Sequence, residues 1–196
     1  MQAVLAAALA MAVNGAPNSD PTNLTMKTQV RPILSDGRLA GCAAEFSVIH
    51  TRLDGQASDT VGLSGSVTVQ PSAAGEPVMV LKVRAVGPDG RSRPLAAAGL
   101  VTGESTNGAD LVSSQAADPG ALTSIYRLRN ASLSALASFT ASEALNGYYS
   151  VKAGQPAARF TADFRVARLD PAASDQDLTS GAGAQFNRCL ARLLQP

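Results

Sequence analysis

The chain has 196 residues, a formal net charge of +1 and only 16% charged residues. This length is typical of one domain. The low and balanced charge argues against a nucleic-acid-binding protein, which usually has a basic excess, and against a highly charged disordered chain. Tryptophan is absent and aromatic residues make up only 4% of the sequence, so a sugar site built on aromatic platforms has little support.

The N-terminal residues have the character of an export signal. Ala3–Val13 is an uncharged apolar run, too short for a transmembrane helix of about 20 residues but typical of a signal-peptide core. Because no basic residue precedes the run, we interpret Met1 as an internal start. We expect residues 1–12 to be a signal-peptide remnant, 13–25 a polar linker and 26–196 one domain. The alternative is a buried N-terminal helix of the mature domain.

Two cysteines, Cys42 and Cys189, suggest a single disulfide bond, because an even number of cysteines in an exported chain indicates disulfide pairing. The bond would join the first long strand to the last helix. The alternative is two buried thiols that behave as small apolar side chains. Leu39–Cys42 resembles a lipoprotein acylation box, but the charged residues before it argue against acylation. With a single histidine available, we also expect no metal site.

Strict alternation of apolar and polar residues predicts most of the strands. Val61–Gln70 is the clearest case. The predicted strands cover residues 40–50, 61–70, 78–86, 95–102, 122–129, 148–152 and 159–168. The polar segment 103–120 is predicted to be a long loop that contains a short strand at Leu111–Val112.

Two segments have helical rather than strand periodicity. Residues 132–145 place Leu133 and Leu136 on one stripe, and residues 175–194 form a second helix with Ser174 as its cap. The sequence therefore predicts an α+β fold. Its mainly antiparallel sheet would have about six to eight strands, be sandwich- or open-barrel-like, and carry the C-terminal helix packed against it.

Catalytic patterns are weak. His50 is the only histidine, so any Ser-His-Asp arrangement must use it. The serine elbow G-x-S-x-G is not matched, since Gly62–Ser66 ends in serine, and Asp175–Thr179 is interpreted as the acidic first turn of a helix rather than a calcium loop. We expect His50 to be a surface or strand-end side chain, and we predict no catalytic residue, metal or cofactor.

Tyr148 and Tyr149 are the candidate ligand-contacting residues. In a strand, one ring would face the core and the other the solvent, and an exposed ring can contact a ligand or partner. A cavity lined by small residues would be a second kind of binding site. The small residues considered for it are Ala44, Ala97, Ala98 and Gly99.

Three functional hypotheses follow. The first is an exported bacterial envelope protein, periplasmic or secreted, with a non-enzymatic binding or structural role. Its partner would be an unknown protein or small molecule, not nucleic acid, and the mature chain would have no transmembrane span. The second is a carrier of a small apolar ligand in a β-lined pocket. The third, the least favoured, is a hydrolase that uses His50.

Overall fold

Alternating strands build two antiparallel sheets that face each other across a common core. The computed structural model describes residues 22–54, 57–103, 105–117, 120–153, 157–165 and 181–195. The strands are β1 Thr22–Ser35, β2 Arg38–Asp54, β3 Ala57–Pro71, β4 Pro77–Val86, β5 Ser92–Arg93, β6 Ala97–Thr102, β7 Ser105–Thr106, β8 Leu111–Ala116, β9 Ala121–Arg127, β10 Ala144–Ser150 and β11 Ala158–Asp163. The helices are a short 3-10 turn, Asn107–Asp110, and two α-helices, α1 Asn130–Ser142 and α2 Ala182–Leu193.

The first sheet has seven strands in the order β1-β2-β3-β4-β9-β8, with β5 paired to β4. The second has four, in the order β11-β10-β6-β7. Every strand pair in the described part of the chain is antiparallel. The predicted α+β class and the sheet-packed C-terminal helix are confirmed, although the two sheets contain more strands than the six to eight expected.

Strand β1 was not predicted, because Pro32 and mixed polar residues hide its alternation. It pairs with β2 through a two-residue turn at Asp36 and Gly37, which have φ values of 52° and 75°. Positive φ at both turn residues matches the twist of a hairpin, and Asp-Gly is a favoured pair there. Because β1 begins at Thr22, the residues up to Thr25 that we assigned to the linker are strand.

Helix α1 ends earlier than the sequence indicates. Glu143 adopts a left-handed conformation with φ 54°, and its N–H donates to Phe139 O at 2.8 Å. This ends the helix, so Leu145, which we expected in the helix, is a buried residue of β10. The predicted stripe is also wrong at Leu133, which is 51% exposed, whereas Leu136 and Phe139 are buried.

Some predictions concern residues that the structure does not describe. The signal-peptide remnant 1–12, the linker up to residue 21, the Ser174 cap and the acidic turn at Asp175–Thr179 lie outside the described ranges. Within those ranges, α2 begins at Ala182 and carries the expected apolar stripe, with Phe186 fully buried.

The helices close the core between the sheets. Helix α2 packs against β1 and β2, and α1 packs against β6 and β10. Phe139 of α1 makes edge-on ring contacts with Phe164 and with Phe186 of α2, at centroid distances of 4.8 and 5.5 Å. Between the sheets, the ring of Phe46 contacts that of Phe160 at 5.4 Å. Aromatic contacts therefore join all layers of the core.

The predicted disulfide is confirmed: Cys42 of β2 is bonded to Cys189 of α2, with their Cα atoms 5.9 Å apart. Cys42 is fully buried on the inner face of the first sheet. The bond closes a loop with a sequence separation of 147 residues. A loop of this length reduces the entropy of the unfolded chain strongly, which in the loop-closure model stabilises the fold by up to about 5 kcal/mol.

Replacing either cysteine should therefore destabilise the protein. We expect Cys42→Ser and Cys189→Ser each to lower the free energy of unfolding by about 2–5 kcal/mol, and the double variant to cost little more, because all three remove the same bond. Urea unfolding measures this effect. Thiol titration of unfolded, unreduced protein is the control, and two reactive thiols would show that the bond does not form.

A buried hydrogen bond also links the two sheets. The Tyr126 hydroxyl of β9 donates to Ala98 O of β6 at 3.2 Å, and Tyr126 is 1% exposed. Burial raises the pKa of Tyr126 from its usual 10 to about 12, because the phenolate would lose its hydration. The folded state therefore favours the protonated phenol.

This pKa shift predicts alkaline destabilisation. A raised folded-state pKa contributes stability that is present below pH 10 and is lost as the pH rises to about 12. We expect the loss to be roughly 2–3 kcal/mol. Unfolding of wild type and Tyr126→Phe, measured in parallel across that range, isolates the contribution. Identical pH profiles for the two proteins would contradict it.

Candidate functional site

A groove lined by charged, serine and a few apolar residues opens on the outer face of the seven-stranded sheet. Its volume is about 460 Å³, within the usual range for ligand sites. It extends over five strands, from β1 to β9. The lining residues are Lys27, Gln29, Glu45, Phe46, Ser47, Ser64, Gly65, Ser66, Lys82, Arg84 and Ala121.

Strand register aligns these polar residues in two rows. In the first row, Lys27 pairs with Ser47, Ser47 with Ser64, and Ser64 with Arg84. The second row continues in the same way through the strand partners Gln29, Glu45, Ser66 and Lys82. Side chains directly opposite each other in a sheet share a face, so the outer face brings together polar groups from distant parts of the sequence.

The groove has more cationic than anionic side chains. Lys27, Lys82 and Arg84 are its cations, and Glu45 is its single carboxylate. Arg31, which is not a lining residue, neutralises Glu45: its Nε donates to Glu45 Oε1 at 2.9 Å, and this bond raises the pKa of Arg31. The residues that line the groove therefore include more cations than carboxylates, although the whole chain is close to neutral.

The geometry of the cations suits an extended ligand. Lys82 and Arg84 are two residues apart on β4, so their backbones are about 6.8 Å apart, the spacing of alternate side chains in an extended peptide. Lys27 lies three strands away from Arg84, at about 14 Å across the sheet. The Arg84 guanidinium is held at the groove by a 2.9 Å hydrogen bond from Nη2 to Ser92 Oγ.

His50 lies on the core face of β2, the strand whose other face carries Glu45 and Ser47. Its predicted location at the surface or at a strand end is wrong. It is 1% exposed and belongs to the interior of the long strand β2 rather than its end. Its Nδ1 is 2.8 Å from Tyr149 Oη, and the two rings meet edge-on at 5.6 Å. His50 shares its face of β2 with the buried side chains of Phe46 and Val48, so its ring lies in the core.

The tyrosine pair separates as predicted. Tyr149 is 5% exposed and faces the core, whereas Tyr148 is half-buried. The Tyr148 ring covers Gly99 of the neighbouring strand, where an added Cβ would lie only 2.4 Å from it. Burial raises the pKa of Tyr148. Neither tyrosine lines the groove, so their proposed ligand contact stays a prediction.

The small residues considered for an apolar pocket do not line the groove. Ala44 and Ala98 are buried in the shared core, Gly99 lies under the Tyr148 ring, and Ala97 is half-buried beside them.

Asp110, a buried carboxylate that the sequence did not single out, has a structural role. Its side chain is fully buried, and Oδ2 accepts a 2.8 Å hydrogen bond from the Ser132 N–H in the first turn of α1. Oδ1 lies 3.6 Å from Arg129 Nε. A carboxylate at a helix N-terminus is stabilised by the unpaired N–H groups there, so Asp110 fixes the start of α1.

The sequence did not predict the groove, because its two rows of polar residues are aligned only by the pairing of strands. The alternation of β4 places Lys82 and Arg84 on its polar face, which the sequence shows. Their alignment with Lys27 requires β1, which Pro32 obscured. A search for cations at alternate positions of one predicted strand would have found Lys82 and Arg84, two of the three cations that line the groove.

The described ranges also bear on metal binding and on membrane spanning. In that part of the chain, no group of three or more His, Cys, Asp or Glu side chains could hold a metal ion. The helices described there are also too short or too polar to cross a bilayer. Comparisons with protein-family models, curated protein sequences and solved structures gave no significant match.

The buried pair of His50 and Tyr149 should be energetically coupled. We expect Tyr149→Phe to lower the free energy of unfolding by about 1–3 kcal/mol, because it removes a hydroxyl that His50 contacts in the core. The double variant with His50→Leu should cost less than the sum of the two single variants. Denaturant unfolding of all four proteins completes the cycle. Tyr148→Phe is the control for a half-buried hydroxyl, and additive losses would show that the pair is not coupled.

Proposed function

We propose that this protein is an exported envelope protein that binds an acidic partner segment in the groove and catalyses no reaction. The observation that carries the proposal is the alignment of Lys27, Lys82 and Arg84 around a floor of serine side chains. Cations together with hydroxyl donors are suited to carboxylate ligands. The partner would present two or more carboxylates along an extended chain.

The disulfide supports export. Bonds of this kind persist in oxidising compartments and are rare in the cytoplasm of most organisms. The Cys42–Cys189 bond connects the inner sheet face to α2. A periplasmic or secreted location fits this chemistry, and the signal-like run Ala3–Val13 is consistent with it.

The other two hypotheses have less support from the geometry. A hydrolase would need an accessible His50, but that ring is 1% exposed. A carrier of an apolar ligand would need an apolar cavity, but the groove is lined mainly by serine and charged side chains. We therefore favour binding of a polar, anionic partner.

The direct test is binding of a fluorescent hexaglutamate peptide, followed by anisotropy at low salt. We expect the wild-type protein to bind, and the affinity to fall as salt is added, because exposed charges are screened. Lys82→Gln/Arg84→Gln should weaken binding about 2- to 30-fold, the sum of two exposed ion pairs. Inorganic phosphate added as a competitor shows whether a single small anion is sufficient.

Two controls separate groove charge from total charge and from folding. Lys152→Gln/Arg192→Gln removes the same charge from exposed positions that do not line the groove and should bind as wild type does. Lys82→Arg/Arg84→Lys keeps the charge and should retain most of the binding. Equal losses in the groove and control variants, or no binding by the wild type, would contradict the proposal.

A further inference from the structure

Strand β8 is an exposed edge of the seven-stranded sheet. It is the last strand in the sheet order, and it pairs with β9 among the described strands. All six of its residues are exposed, including Leu111 at 44% and Val112 at 54%. An open edge presents backbone N–H and C=O groups that can pair with another strand.

Unlike the opposite edge of its own sheet, β8 carries no charge. Its sequence is LVSSQA, without Lys, Arg, Asp, Glu or Pro. At the opposite edge, β1 contains Lys27, Arg31 and Pro32, and its Thr25 Oγ1 accepts a 3.0 Å hydrogen bond from Asp163 N of β11. Charges, prolines and covering strands are the usual protection of sheet edges against pairing. In β8, only the irregularity between Leu111 and Ser113 has this effect.

We propose that β8 pairs antiparallel with β8 of a second copy, so that two seven-stranded sheets join into one. A second copy fits because an uncharged strand meets an identical strand without like-charge repulsion. Pairing the two edges would also satisfy the backbone N–H and C=O groups that an open edge leaves exposed. This inference does not depend on the proposed binding of an acidic partner.

Geometry restricts the register. The two-fold axis is perpendicular to the sheet, so directly opposite residues must point to the same face. Between Ser113 and Ala116 the side chains alternate without interruption, so residues that point to the same face are an even number of positions apart. The pairing must therefore be centred on a residue and not on the bond between two residues. An axis through Ser114 pairs Ser113 with Gln115 and keeps all pairs from Val112 to Ala116 inside β8. An axis through Gln115 would pair Ser113 with Ala117, beyond the end of the strand, and an axis through Ser113 would leave no flanking pair free of the irregularity between Leu111 and Ser113.

The contact is small. One short strand pair buries less than the roughly 1,200–2,000 Å² of a stable interface. We therefore expect a dimer whose population rises with concentration. Sedimentation equilibrium should show the mass rising from 19.9 kDa towards twice that value.

Charged substitutions on β8 test the pairing and its register. Ser113→Lys/Gln115→Lys places a lysine of one copy directly opposite a lysine of the other about the Ser114 axis. We expect this variant to raise the dissociation constant of the dimer about tenfold or more. Ser113→Glu/Gln115→Lys places opposite charges together about the Ser114 axis and should restore the dimer. Ala184→Lys/Asn187→Lys adds the same net charge as the first variant on the exposed side of α2, and its dimer should match that of the wild type.

The possible results separate clearly. Circular dichroism confirms that each variant is folded, which we expect because the substituted side chains are exposed. A wild-type chain that stays monomeric at every accessible concentration would overturn the proposal, as would a dimer that tolerates Ser113→Lys/Gln115→Lys. Failure of Ser113→Glu/Gln115→Lys to restore association would overturn the Ser114-centred register.

Discussion

The rest of the structure depends on the strict alternation of side chains along β2. On one face of this strand, Cys42, Val48 and His50 are buried in the core; on the other, Glu45 and Ser47 line the groove. A shift of one residue in the pairing would exchange the two faces. Exposing a buried aromatic ring alone costs about 1.5–3 kcal/mol, and Glu45 would be buried away from Arg31. The alternation that excludes this shift therefore defines the core and the groove together.

The disulfide strengthens this constraint at one end of β2. Cys42 belongs to the buried face, and its bond to Cys189 holds α2 over that face. Further along the same face, Phe46 contacts Phe160 and His50 contacts Tyr149, both across the core to the second sheet. The inner face is occupied by these contacts, so we place binding on the outer face of the sheet. Selection for function can change that outer face with little effect on the core.

Local patterns predicted much of the fold, and long-range pairing limited the prediction of the site. The alternation of β3 and β4 and the helical stripe around Cys189 lie within short segments, so the sequence predicts them. The disulfide was predicted from the even number of cysteines, with Cys42 on a predicted strand and Cys189 on a predicted helix. It did not predict β1, because an edge strand tolerates Pro32 and needs no clean apolar face. Without β1, Lys27 could not be aligned with Arg84. His50 was misplaced for a related reason, since the extension of β2 beyond it depends on pairing with β3 rather than on its own pattern.

The central claim is that binding occurs on the outer face of the first sheet. A nuclear magnetic resonance titration of the isotope-labelled chain with the hexaglutamate peptide tests it most directly, because each backbone amide reports on its own surroundings. The outer face of the first sheet should respond, with the largest shift changes at the amides of Ser47, Ser64 and Ser66. Amides at the second sheet, such as those of Gly99 and Tyr149, should change little. Shift changes concentrated in the second sheet, with an undisturbed groove, would contradict the assignment of binding to the outer face.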